Sequence, residues 1–244
     1  MSDKKRQKIP SIVVWIAWCL WIIASLVMGA FLTSELFHML MRAGWISGLH
    51  APSYVLLEYL VAYALSMLIA VGIPLYGWRM AISKQEFGVA RSLRWTDLSW
   101  GLIGMVMYVA LAQLALNIIV ALVPTFNVTE AQDVGFTVVF GWERMLAFTV
   151  LVIVAPVVEE LLFRGFLYGR LRKLHAPVWL SVLFVSAVFG FVHGQWNLAV
   201  DVFILGVVAA LLREKTGTIW TGVVIHMMKN AVAFYLVFVM MMGR

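Results

Sequence analysis

From Ile12 to Leu32 the chain runs for twenty-one residues without a charged side chain. As a helix that run rises about 32 Å, enough to cross the hydrocarbon core of a bilayer. Six more apolar segments follow it. The spans are read at about 11–33, 54–78, 98–123, 145–170, 177–193, 198–212 and 218–240. The fifth and sixth are short, and the fourth carries polar residues. A β-barrel needs strands of about ten residues that alternate in polarity, and Ile12–Leu32 shows no such alternation. Composition agrees, with 64% hydrophobic residues, 12% charged and a mean hydropathy of +0.97. A soluble fold of this length has no interior large enough for so much apolar surface. The expected fold class is therefore all-α, a polytopic transmembrane bundle of about seven spans.

Loop charges orient these spans. With the N-terminus in the cytoplasm, the inner loops hold thirteen Lys and Arg: Lys4, Lys5, Arg6, Lys8, Arg79, Lys84, Arg91, Arg94, Arg170, Arg172, Lys173, Arg213 and Lys215. The outer side holds three, Arg42, Arg144 and Arg244, while Arg164 and Lys229 fall inside spans. That asymmetry follows the positive-inside rule. It also accounts for the net charge of +6 without nucleic acid. Most tryptophans fall near span ends, as an interfacial belt requires. The basic start followed by an apolar run imitates a signal peptide, but the run is too long for one, and an uncleaved first helix is expected. The single cysteine, Cys19, reads as a small packing residue. Residues 1–139 read as a scaffold of three spans and residues 140–240 as a working core of four.

Ionisable residues within spans are costly and mark function, and here they cluster. The fourth span holds Glu159, Glu160 and Arg164; the fifth ends in Phe189 and His193; the seventh holds His226 and Asn230. Helical spacing puts Glu160 and Arg164 on one face as a pair, with Glu159 turned about 100° away. Phe189 and His193 share a face, as do His226 and Asn230. Counted from the cytoplasmic ends, Glu159, His193, His226 and Asn230 lie about 21, 24, 16 and 22 Å deep. One carboxylate, two imidazoles and a carboxamide thus reach similar depth from three helices, at a water-containing site that opens toward the cytoplasm. Such a set suits hydrolysis. Glu159 is the candidate general base and His193 helps to hold the water. His226 and Asn230 donate to the oxyanion, and the Glu160–Arg164 pair supports the site.

These residues carry a resemblance. The chain resembles the CPBP family of intramembrane glutamic endopeptidases, the CAAX proteases and bacteriocin-processing enzymes also called the Abi family. Glu159, Glu160 and Arg164 match EExxxR, Phe189 and His193 match FxxxH, and His226 and Asn230 match HxxxN. The stretch Leu212 to Trp220 is also similar. The likeness spans about residues 140–240 and leaves residues 1–139 unmatched. It implies a metal-independent endopeptidase in which Glu159 and His193 activate water, while His226 and Asn230 stabilise the oxyanion. Eukaryotic members release the tripeptide from prenylated CAAX proteins; prokaryotic members are associated with bacteriocin processing and self-immunity. A prokaryotic cell membrane, a membrane-anchored or lipidated peptide substrate and no nucleic-acid partner are the corresponding expectations.

Two rivals use the same residues. One Glu and two His are ligands that suit zinc, but HExxH spacing is missing, so no cofactor is expected. A non-catalytic adaptor, an immunity protein or a transporter also places charge in mid-membrane, though no internal repeat is visible. Elsewhere, Lys229 is expected to pair or snorkel, with Asp201 as its partner or as a cap. Gln113 and Asn117 read as packing contacts, Glu58 as wetted, and His38, His50 and His175 as loop or interface residues. Gly206 and Ala210 read as a small-residue helix contact.

Overall fold

The structure is a computed structural model, and it describes residues 11–126, 136 and 138–240. The basic N-terminal residues Lys4, Lys5, Arg6 and Lys8, and the terminal Arg244, lie outside the described residues. The described residues are mostly helical, with no strand among them. Six helices are long and apolar enough to cross a membrane: α1 (Ser11–Arg42), α2 (Ala51–Gly77), α3 (Trp95–Leu122), α4 (Gly141–Lys173), α6 (Trp196–Thr216) and α7 (Trp220–Met240). Between α4 and α6 lies α5 (Val178–Phe191), apolar but only 14 residues long. The bundle is a polytopic helical membrane protein. The seven helices among the described residues follow the seven apolar runs, with three corrections. The first continues nine residues past its run, to Arg42. The fifth run ends two residues early, because Val192 and His193 turn away ahead of Gly194, whose φ of 74° no helix accommodates. The sixth is longer than its apolar stretch suggested, because Arg213, Glu214 and Lys215 continue the helix to a left-handed stop at Gly217.

Helix α5 packs most extensively on α6, α1 on α2, and α3 lies across both α6 and α7. Helix α4 contacts α1, α2, α5, α6 and α7, so neighbouring helices surround the glutamates and arginine that it carries within an otherwise strongly apolar span. Helix α3 is peripheral, with Leu102, Val106 and Leu114 turned outward. Two apolar clusters hold the bundle. One gathers Phe163, Phe166 and Leu167 of α4 with Val185 and Phe189 of α5 and Leu205 and Val208 of α6. The other gathers Ala147, Val150 and Val152 of α4 with Leu56 of α2 and Phe234 and Phe238 of α7. Along α4 the two glutamates fall between these clusters.

One end of the bundle carries the basic loops. Glu86, in the connection after α2, accepts from Arg170 at 2.5 Å and from Lys173 at 2.9 Å. Arg213 donates to the Gln85 and Glu86 carbonyls. Arg172 and Tyr168 both hold Glu214. The connection is also tied to the α6–α7 turn, where Thr218 Oγ1 and Ile219 N donate to the Gly88 carbonyl. The loops grouped on one side by charge counting therefore meet in space.

Candidate active site

The order of residues in α4 creates the site. Two π-helical stretches, Thr149–Val154 and Leu161–Leu167, flank the α-helical segment Ala155–Glu160. Wide turns of this kind recur at functional positions. The first has a specific consequence. The Ala155 N–H donates to Val150, five residues back, so it does not serve the Leu151 carbonyl. The next residue is Pro156, which has no N–H to give. The Leu151 carbonyl accepts instead from Asn230 Nδ2 on α7, at 2.8 Å. A register change and a proline thus leave open an acceptor that fixes one of the expected site residues.

Glu160 is fully buried and paired with Arg164, also fully buried, at 2.8 Å. The guanidinium lies over the Phe189 ring, 4.3 Å from its centroid, and so gains attraction from the ring face as well as from the carboxylate. The pair is enclosed by glycines. A Cβ at Gly222 would lie 2.5 Å from Glu160 Oε2, and one at Gly206 would lie 3.0 Å from Arg164 Nη2. Gly206 also meets Ser186 of α5, which accounts for the small residue expected there.

The His226 ring stands between the two glutamates. Its Nδ1 is 3.3 Å from Glu160 Oε1 and its Nε2 is 3.7 Å from Glu159 Oε2. The second distance exceeds a hydrogen bond, so Nε2 is not committed to Glu159. Glu159 is the more open carboxylate, its side chain 13% exposed against 0% for Glu160. Its Oε1 accepts a 2.7 Å hydrogen bond from the Tyr63 hydroxyl of α2.

Phe189 brings the remaining group into place. Its ring meets those of His193 and His226 edge to face, with centroids 4.9 and 5.7 Å away. Its carbonyl lies 2.7 Å from His193 Nδ1. A carbonyl only accepts, so Nδ1 carries the proton and the neutral ring presents Nε2 as a lone pair. Among the described residues no side chain takes that nitrogen in a hydrogen bond. Glu159, Glu160, Arg164, Phe189, His226 and Asn230 are thus joined by direct contacts or through α4. His193 joins them through Phe189.

Three contacts were not anticipated: Tyr63 to Glu159, His226 to Glu160, and Asn230 to Leu151. Lys229 pairs with Asp201 Oδ2 at 3.3 Å. The other oxygen of Asp201 accepts from Tyr108 of α3. Gln113 bonds Asn117 on the exposed flank of α3, away from the site. Among the described residues, no three His, Cys, Asp or Glu side chains are grouped to hold a metal ion.

Set together, these groups form a polar cluster between the two apolar clusters, with a partly exposed carboxylate, two imidazoles and a carboxamide. Comparison with known proteins gives partial matches. The protein matches an "Uncharacterized 24.3 kDa protein" of Escherichia coli, 31% identical over 87 residues, which are 34% of this chain and 40% of that protein. It matches a "Putative membrane peptidase YdiL" of Bacillus subtilis, 31% identical over 78 residues, 32% of each chain. The chain therefore spans about two fifths and one third of these relatives. No solved structure gives a significant match. Residues 140–232, the segment that supplies every side chain of the site except Tyr63, match the family described as "Type II CAAX prenyl endopeptidase Rce1-like".

Proposed function

We propose that the protein is an intramembrane endopeptidase that cuts a membrane-associated protein or peptide, of the CAAX or leader type, with a glutamate-activated water. The observation that carries the reading is the partly exposed Glu159 carboxylate beside His226, held over the buried Glu160–Arg164 pair. A water between Glu159 and His193 Nε2 attacks the scissile carbonyl carbon and passes its proton to Glu159. The carbonyl oxygen becomes an oxyanion and takes hydrogen bonds from Asn230 and from His226, whose Nε2 must carry a proton in addition to Nδ1 for this role. The carbon–nitrogen bond then breaks, the nitrogen leaves with the proton from Glu159, and the base is restored. No metal or other cofactor enters this scheme. The substrate reaches the site from the basic, cytoplasmic end, in a prokaryotic cell membrane, and a prenyl or other lipid anchor on it partitions into the bilayer.

The test uses purified protein in proteoliposomes with a fluorogenic farnesylated CAAX peptide and a bacteriocin-leader peptide. Glu159→Gln is expected to lower cleavage by about 10²–10⁴-fold, the usual value of a general base, with the unfolding temperature unchanged. Chelators are expected to leave the wild-type rate intact. Retained cleavage in Glu159→Gln sinks the glutamate mechanism.

A further inference from the structure

We infer that Tyr63 is a positioning residue for the Glu159 carboxylate, contributed by the half of the chain outside the matched segment. The inference rests on the function proposed above. A general base needs one carboxylate oxygen aimed at water and the other held. Tyr63 holds Oε1 at 2.7 Å, and Oε2 is left facing His226 Nε2 at 3.7 Å. That separation is the significant quantity. It is a few tenths of an ångström too long for a hydrogen bond, so a small rotation of an untethered carboxylate would close it. Glu159 would then spend its free oxygen, and His226 its Nε2, on each other. The base and an oxyanion donor would be lost in one contact. The Tyr63 hydroxyl opposes this by anchoring Oε1 toward α2.

The direction of the hydrogen bond suits the task. A phenol donates to a carboxylate with a charge-assisted bond, stronger than one between neutral groups. The ring, with two side-chain torsions, is far less mobile than a Gln or Lys in its place would be. Ser53 ties α2 to α4 at Glu143, and the Tyr63 hydroxyl ties it at Glu159, among the reacting groups.

Tyr63→Phe removes one oxygen atom and keeps the packing. With the farnesylated CAAX peptide as probe, kcat is expected to fall about tenfold, the value of one charge-assisted hydrogen bond. KM should stay within about twofold and the unfolding temperature should not move. A Tyr63→Phe protein with wild-type kcat, measured beside an inactive Glu159→Gln, overturns the positioning role and leaves the proposed function standing. A loss expressed in KM or in thermal stability instead of kcat overturns it as well, since that is what a purely structural contact would give. If wild-type and Glu159→Gln proteins behave alike on the probe, the proposed function fails and takes this inference with it.

Discussion

At the scale of single residues, the Glu160–Arg164 pair shows how much the protein invests in one contact. Both side chains are fully buried, and two of the guanidinium nitrogens have no hydrogen-bond partner. Bringing such a pair out of water costs more than an exposed ion pair returns, and the attraction repays it only while both partners are present. Arg164→Met is therefore expected to destabilise the protein by about 3–5 kcal/mol by leaving Glu160 buried and uncompensated. The double variant Glu160→Gln with Arg164→Met should recover part of that loss, as measured by thermal unfolding in detergent. The pairing itself was readable from the four-residue spacing. So was Phe189 with His193, since helical periodicity fixes which face a residue occupies. Tyr63 was not readable. A tyrosine within an apolar span has the same appearance whether its hydroxyl meets lipid headgroups, water or a carboxylate, and only the packing of α2 on α4 distinguishes them.

At the scale of elements, α4 is the instructive helix. The sequence reading took it as a regular α-helix. The wide turn at Thr149–Val154 changes the register just before Pro156, and the open Leu151 carbonyl follows from that combination. Pro156 is visible in the sequence, but its effect depends on where the turn falls. Pro156→Ala restores an N–H one residue beyond the gap. The expected outcome is an equal or higher unfolding temperature with kcat lowered up to about tenfold, because Asn230 loses exclusive use of its acceptor. Comparing it with Asn230→Ala and the double variant tests the linkage, since coupled positions give non-additive losses. The connection after α2 behaves differently, because it is held by charge. Burial alone would push the Glu86 carboxyl up, but hydrogen bonds from Arg170 and Lys173 outweigh it and hold the group below its ordinary value of 4.5. A lowered folded value means that the contact stabilises fully above the unfolded value and is lost as pH falls through the folded one. The unfolding-temperature difference between wild type and Glu86→Gln should therefore be constant near neutrality and vanish on acidification below about pH 4.

At the scale of the whole molecule, the number of helices and the segregation of basic loops were legible because they depend on length and charge alone. The contacts of Glu86 and Arg213 now tie those loops together at one end. In a Cys19→Ser background, Lys84→Cys should react with an impermeant thiol reagent only from the cytoplasmic side, and Ser47→Cys only from the opposite side. Both positions are exposed. Labelling in the reverse sense would invert the assignment.

The shortness of α5 has a consequence for the lipid. Fourteen residues rise about 21 Å, whereas the hydrocarbon core is about 30 Å thick. Acyl chains beside α5 must shorten or splay to meet its polar end, a local thinning that costs a fraction of a kcal/mol per ångström. That thinning is expected where His193 follows the helix, on the membrane face away from the basic loops.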